Sequence, residues 1–148
     1  MLSQKARYAL RALVELSRVD PGQITASALA ARADAPRKFL EAILLQLARE
    51  GVVVSKRGKF GGYVLARPAH QISFAEIIRI VDGPLALAPC VSRTAFAPCE
   101  GCIELDACPL REALLRARDA TAAVLEAYSL ADAAKSGDAN IVILPPVA

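Results

Sequence analysis

All four cysteines of the chain lie within one short segment, at Cys90, Cys99, Cys102 and Cys108. Thiolates are the preferred ligands of zinc and of iron–sulfur clusters. In a reducing compartment, clustered cysteines indicate metal binding or redox chemistry rather than disulfides. Their spacing leaves three chemistries open: a zinc site with four thiolates, an iron–sulfur cluster on three thiolates and another ligand, and thiols that react without any metal.

The charge distribution separates the chain into two unequal halves. Residues 1–67 contain 12 Lys and Arg against 5 Asp and Glu, a formal charge of +7, whereas residues 68–148 contain 6 against 10, a charge of −4. A basic half followed by an acidic half predicts a module that binds a polyanion, joined to a segment with another role. The length of 148 residues favours one domain, or a small domain with an appended helix.

The basic half has the pattern of a winged helix-turn-helix. Apolar residues at helical spacing predict helices from Ser3 to about Arg18, from Thr25 to Ala33 and from Pro36 to Glu50. Two short strands over 52–56 and 62–65 flank a basic, Gly-rich connection, which predicts a β-hairpin wing. The predicted fold is therefore mainly α with a small β-hairpin.

The polyanion that this arrangement fits is double-stranded DNA. The second helix of a helix-turn-helix enters the major groove, and Lys and Arg neutralise phosphates. Candidate contacts are the polar residues at the start of that helix and the cations of the wing, namely Arg37, Lys38, Glu41, Lys56, Arg57 and Lys59. Glu41 is unusual, because a carboxylate at DNA is repelled unless it accepts from a cytosine amino group, and we expect it to select among operators.

The acidic half is predicted to hold a sensor segment and a dimerisation helix. We assign residues 1–67 to the DNA-binding domain, residues 68–134 to a loop (85–108) followed by a long C-terminal helix (109–134), and residues 135–148 to a flexible tail. A helix of about 25 residues would be roughly 37 Å long, more than a small domain covers by itself, so a homodimer is expected.

Several classes of protein are not expected. No apolar run reaches the roughly 18 residues of a membrane span, and the first twenty residues do not resemble a secretory signal, which predicts a cytoplasmic protein without membrane contact. The chain has no phosphate-binding loop, dinucleotide fingerprint or H-E-x-x-H motif, and its single histidine, His70, lies far from the cysteines. An enzyme is therefore not expected.

Several of these motifs together resemble one bacterial family. They are Lys5-Ala6-Arg7-Tyr8-Ala9 in the first helix, Phe39-Leu40-Glu41 in the third, Val81-Asp82-Gly83-Pro84 before the cysteine loop, and a wing that fits R-G-x-x-G-G-Y over 57–63. On these residues the chain is identified as similar to the Rrf-two family of bacterial winged helix-turn-helix transcriptional regulators, of the IscR, NsrR and RirA type. The resemblance covers residues 1 to about 134.

The resemblance implies a homodimer on a palindromic operator, with a contact to RNA polymerase left open. It places the family's wing arginine at Arg57 and its operator-discriminating glutamate at Glu41. It also implies a 2Fe–2S or 4Fe–4S cluster on Cys90, Cys102 and Cys108, with Cys99 as an alternative ligand, that senses iron, redox or nitric oxide status. Arg111 occupies the position at which some relatives carry a histidine ligand. Regulation by thiols without a cluster, and a zinc-stabilised winged-helix module that binds proteins, are the alternatives.

Overall fold

Three helices build the helix-turn-helix in the computed structural model, which describes residues 2–102 and 104–136. Helix α1 spans Gln4–Val19 and begins where the Ser3 hydroxyl accepts a hydrogen bond from the backbone N of Ala6 at 3.0 Å. Helix α2 spans Ala26–Arg32 and α3 spans Arg37–Arg49. The Thr25 hydroxyl caps α2 in the same way, at 3.2 Å from the backbone N of Ala28. The three predicted helices are confirmed.

The wing is a two-stranded antiparallel hairpin. Strand β1 (Val53–Lys56) pairs with strand β2 (Gly62–Leu65), with Val53 opposite Leu65 and Lys56 opposite Gly62. Ile24 extends this pairing by exchanging backbone hydrogen bonds with Tyr63 at 3.1 and 2.8 Å. A Cβ at Gly62 would lie 2.6 Å from the Ile24 carbonyl oxygen, so glycine is required there. The wing is therefore attached to the chain just before α2.

Helix α4 spans Phe74–Val81 and follows one turn of 3-10 helix over Ala69–Gln71. The Ser73 hydroxyl caps α4 by accepting from the backbone N of Glu76 at 3.2 Å. The Glu76 carboxylate instead accepts from the guanidinium of Arg67, with 2.5 Å between Nη2 and Oε1. The Ser73 hydroxyl therefore caps the helix, whereas the Glu76 carboxylate forms an ion pair with Arg67.

The single helix predicted over 109–134 is wrong, because the structure has two helices there. Helix α5 spans Arg111–Ala127 and helix α6 spans Leu130–Ser136. Ser129 stops the first and begins the second: its backbone N donates to Asp132 Oδ2 at 2.9 Å, and its hydroxyl accepts from the backbone N of Asp132 at 3.2 Å. This reciprocal pair is an S-x-x-D capping box, a signal that helical periodicity alone does not register. The 17 residues of α5 make it roughly 25 Å long at 1.5 Å per residue.

The core continues across the predicted domain boundary at residue 67. Its fully buried side chains come from α1, α2, α3, β1, α4, α6 and the intervening turns, and include Leu13, Leu16, Leu29, Leu40, Ile43, Leu44, Leu47, Val52, Ile72, Ile77 and Leu130. The helix-turn-helix and the segment after it therefore share one core.

Of the tail predicted over 135–148, residues 137–148 lie outside the described residues. None of the described helices is both long enough and apolar enough to span a bilayer.

Replacing Leu130 tests whether α6 completes this core. We expect Leu130→Ala to lower the free energy of unfolding by about 2–5 kcal/mol, because its side chain is fully buried. Leu87→Ala is the matched control, since Leu87 is 75% exposed and should change little. Urea unfolding followed by circular dichroism at one fixed protein concentration measures both. Equal effects of the two variants would contradict the packing of α6.

Candidate DNA interface and cysteine loop

The first turn of α3 presents three of the candidate DNA-binding residues. Arg37 and Lys38 are exposed, and Glu41 is half-buried. The Arg37 guanidinium contacts the Glu41 carboxylate one turn later, with 2.9 Å between Nε and Oε1. Glu41 is thus partly neutralised by its own helix and is one half of an ion pair rather than an isolated charge.

Aromatic packing and side-chain hydrogen bonds hold α3 at a defined position. The Phe39 ring packs edge-on against the Tyr8 ring of α1, with 5.9 Å between centroids. Lys5 donates to the Gln46 side-chain oxygen at 2.7 Å, and the Gln46 amide donates to the Ile80 carbonyl, also at 2.7 Å. Helices α1, α3 and α4 are therefore joined by polar contacts as well as by the core.

The wing carries the other three candidates, and Lys56, Arg57 and Lys59 are all exposed. Its tip depends on glycine: Gly58 has φ of 115°, and a Cβ at Gly61 would lie 2.6 Å from the Lys56 carbonyl oxygen. The Gln23 side-chain amide donates to the Phe60 carbonyl and supports the tip from the turn before α2. The sequence carries no evident signal for this role of Gln23.

The cysteine loop places its thiols at different depths. Cys90 is buried within a single 3-10 turn over Pro89–Val91. Cys99 and Cys108 are half-buried, and Cys102 is exposed. The backbone N of Cys102 donates to the Cys99 carbonyl at 3.2 Å, which closes the short turn between these two residues.

Cys90, Cys99 and Cys102 each have a pKa that depends on neighbouring thiols, so the thiols of this loop lie near one another. A hydrogen bond to Cys99 raises the pKa of Cys90, and burial and the other three thiols raise it further. The same hydrogen bond lowers the pKa of Cys99, which is thereby favoured as the thiolate. Desolvation of the thiol raises the pKa of Cys102, although the residue as a whole is exposed, and Cys108 adds to the effect. The loop therefore gathers all four predicted ligands.

The donor chemistry fits a metal or an iron–sulfur cluster, but a complete coordination geometry is not formed. Within residues 2–102 and 104–136, no three His, Cys, Asp or Glu side chains are arranged around one metal position. Arg111 supplies a further observation: its backbone N donates to the Cys108 carbonyl at 3.3 Å, and its Nε is buried without a hydrogen-bond partner among these residues. The half-buried Arg111 therefore has one buried donor atom without a partner, at the end of the loop.

Contacts between charged groups connect the cysteine loop to α5. The largely buried Arg118 donates from Nη1 to the Val91 carbonyl at 2.6 Å, directly after Cys90. Asp119 accepts from Arg118 at 2.7 Å and from Arg93 in the loop at 2.8 Å. The hydrogen bond from Arg118 lowers the pKa of Asp119, with the nearby charges adding to it, so this carboxylate stays ionised. Sequence reasoning missed Arg118, Asp119 and Arg93.

Much of the apolar surface of α5 is not covered within one chain. Ala122 is its only buried residue. Val124 is 68% exposed, and Leu110, which immediately precedes α5, is 65% exposed. The periodicity of this segment predicted a buried face, which the contacts within one chain do not provide.

Comparison with known proteins identifies the family. The profile of the Rrf2 family, described as iron-dependent transcriptional regulator, matches residues 2–136. The chain belongs to the Rrf2 family. An rrf2-like HTH-type transcriptional regulator of Rhodobacter capsulatus is 38% identical over 142 residues, which cover 93% of this chain and 95% of that protein.

Solved structures of Rrf2-like regulators have the same fold. CymR, the global cysteine regulator of B. subtilis, superposes with a TM-score of 0.74 at 31% identity, over 91% of this chain and 96% of CymR. IscR of T. potens superposes with a TM-score of 0.74 at 24% identity, over 98% of this chain and 93% of IscR, which supports the fold alone. Membership confirms the winged-helix fold, a role in transcription regulation through DNA, and the expectation that the chain is not an enzyme.

The thiol contacts predict an order of reactivity in the metal-free protein. Because Cys90 lowers the pKa of Cys99, iodoacetamide should alkylate Cys99 at lower pH than Cys102, whose pKa is raised. Mass spectrometry of samples alkylated across a pH series measures the midpoint of each cysteine. In Cys90→Ala the midpoint of Cys99 should move to higher pH, and an unchanged midpoint would contradict the Cys90–Cys99 contact.

Proposed function

We propose that the chain is a cytoplasmic, homodimeric transcription regulator that binds a palindromic operator and whose DNA affinity follows the state of its cysteine loop. An iron–sulfur cluster, 2Fe–2S or 4Fe–4S, would be held by Cys90, Cys102 and Cys108, with Cys99 as the alternative ligand. The signal would be iron, redox or nitric oxide status. The description of the Rrf2 family as iron-dependent supports the metal.

The observation that carries this proposal is the direct contact between α5 and a loop that contains four thiols. Arg118 bonds the carbonyl of Val91, the residue after buried Cys90, so a change at Cys90 displaces a hydrogen-bond partner of α5. Asp119 adds a second contact through Arg93. A change in the loop can therefore alter the position of α5, the helix that we assign to dimerisation. A shift of α5 would in turn change the spacing of the two recognition helices in the dimer.

The homodimer is supported by the uncovered surface of α5. A helix with a single buried residue and a strongly exposed Val124 lacks the packing that usually stabilises helices in proteins. A second copy of the same helix supplies this packing with twofold symmetry, which matches a palindromic operator.

The residues of the loop fit the group that they would hold. A bound cluster supplies iron whose oxidation state or loss reports the signal. Cys90 provides a buried ligand, and Cys102 and Cys108 provide ligands nearer to solvent, through which a reactant has access. Arg111, whose backbone N donates to the Cys108 carbonyl, would add a positive charge at the end of the loop. Regulation requires two conformations of the dimer that differ in DNA affinity. The cluster must bind one of them more tightly than the other, because otherwise it cannot shift the equilibrium between them.

A thiol regulator without a cluster is the second candidate. The hydrogen bond between Cys90 and Cys99 favours it, because a stabilised Cys99 thiolate beside a second thiol can be oxidised to a disulfide by peroxide. Similarity to CymR, the global cysteine regulator of B. subtilis, is compatible with this chemistry.

Metal analysis of anaerobically purified protein tests the proposal. We expect iron and sulfide in matching amounts together with a visible absorption spectrum, which also separates the 2Fe–2S from the 4Fe–4S type. Cys90→Ala, Cys102→Ala and Cys108→Ala should lose the spectrum, and Cys99→Ala should keep it. Zinc, or no metal after anaerobic reconstitution, would exclude the cluster, leave DNA binding intact and favour the zinc or thiol alternatives.

Arg57→Ala tests the wing. We expect weaker binding to every duplex, and the slope of log K against log salt should decrease in magnitude by about one, because one phosphate contact is lost. Fluorescence anisotropy of a labelled duplex at several salt concentrations measures both quantities. An unchanged affinity and slope would remove Arg57 from the interface.

Glu41→Ala tests selectivity. Removing the carboxylate deletes a group that rejects some bases and also releases Arg37, so we expect a broader choice of operators rather than weaker binding. Selection from a random DNA pool measures the preference. Comparison of the single variant Arg37→Ala with the double variant Arg37→Ala/Glu41→Ala separates a direct effect of Glu41 from an effect that acts through Arg37. A uniform change of affinity with unaltered preference would contradict this role.

A further inference from the structure

Phe60 at the wing tip has no role in the function described so far. Among the described residues it is the large apolar side chain with the greatest exposure, 80%. The wing pattern R-G-x-x-G-G-Y leaves its position unspecified, so the family resemblance assigns no role to this aromatic residue. A large apolar side chain held in water at the end of a basic hairpin points to a contact made only in a complex.

The wing tip presents Phe60 in a restricted conformation. The backbone N of Gly61 donates to the Gly58 carbonyl at 2.9 Å, and the Gln23 amide donates to the Phe60 carbonyl. Tyr63 attaches the base of the wing to Ile24 by two backbone hydrogen bonds. The Phe60 backbone is thus ordered before binding, which reduces the entropy lost when its ring meets a partner.

The charges around the ring identify the partner. Lys59 Nζ lies 5.8 Å from the centroid of the Phe60 ring, and Lys56 and Arg57 are exposed on the same hairpin. An aromatic ring among cations matches a DNA groove, where phosphates form the rims and base steps form the floor. Proteins that enter the minor groove commonly insert an apolar side chain between base pairs and partly unstack them.

We infer that Phe60 is a wedge that enters the minor groove beside the recognition helix and opens one base step of the operator. This inference rests on the proposed DNA-binding function and adds a determinant of operator choice. Pyrimidine–purine steps unstack most easily, so the wedge favours operators with such a step under the wing. Arg57 would provide an electrostatic contact at the same groove. Phe60 would make the binding affinity depend on how easily the operator's base steps unstack.

Salt dependence separates the wedge from a charge contact. Operator DNA is selected from a random pool with wild-type protein, and the affinities of variants are measured by anisotropy across salt concentrations. Phe60→Ala should weaken binding about tenfold, as loss of an aromatic–base contact does, while the salt slope is unchanged. Lys59→Ala should instead reduce the slope. Phe96→Ala is the matched control, because Phe96 is also an exposed aromatic, 57% exposed, but lies in the cysteine loop.

A fluorescent base reports unstacking directly in the wild-type protein. With 2-aminopurine placed in turn at each step of the selected operator, binding should raise fluorescence at one step per half-site. Phe60→Leu should keep part of this rise and Phe60→Ala should abolish it. The signal in wild-type protein remains decisive even where a variant folds poorly.

The possible outcomes distinguish this inference from the function on which it rests. Tight operator binding by Phe60→Ala, or no fluorescent step in the wild-type complex, would overturn the wedge and leave DNA regulation intact. A wild-type protein that selects no duplex at all would overturn both. A parallel loss of affinity in Phe96→Ala would show a general effect of removing exposed aromatics and would also overturn the wedge.

Discussion

Helix α1 is the element against which the rest of the chain packs. Its buried face is a stripe of alanine and leucine, and helices α2, α3, α4 and α6 and strand β2 all contact it. Alanine at several of these positions lets neighbouring backbones approach closely, while Leu13 and Leu16 fill the space between them. Because α1 contacts both α3 and α6, one close-packed core joins the recognition helix to the C-terminal helix α6.

This central position explains how a small regulator combines a rigid reader with a cysteine loop that is less tightly packed. The reader is held by the core, by the ring contact of Phe39 with Tyr8 and by the hydrogen bonds of Gln46. The cysteine loop has little apolar packing apart from the turn that buries Cys90 and Val91. Regions with few buried contacts open at lower free energy. The thiols, whose reactions need access to solvent, are thus located in a segment whose local opening requires little free energy.

Much of the fold followed from local patterns. Ser3, Thr25 and Ser73 cap the helices that the apolar periodicity predicted, and Gly58 and Gly61 permit the wing that the basic connection predicted. The end of α5 did not follow from periodicity, because helical spacing of apolar residues continues through Tyr128 and into α6. The cap formed by Ser129 and Asp132 decides that boundary, and burial of Leu130 against α1 makes the break favourable.

The sequence by itself determined the kinds of groups available: a basic winged helix-turn-helix, and four thiols in one loop followed by an amphipathic helix. Those properties depend on residue type and on spacing along the chain. Only the tertiary structure decided which groups meet across long separations: Arg118 with the carbonyl beside Cys90, Lys5 with Gln46, and Gln23 with the wing tip. Such contacts depend on how helices pack in three dimensions, and no local spacing encodes that packing.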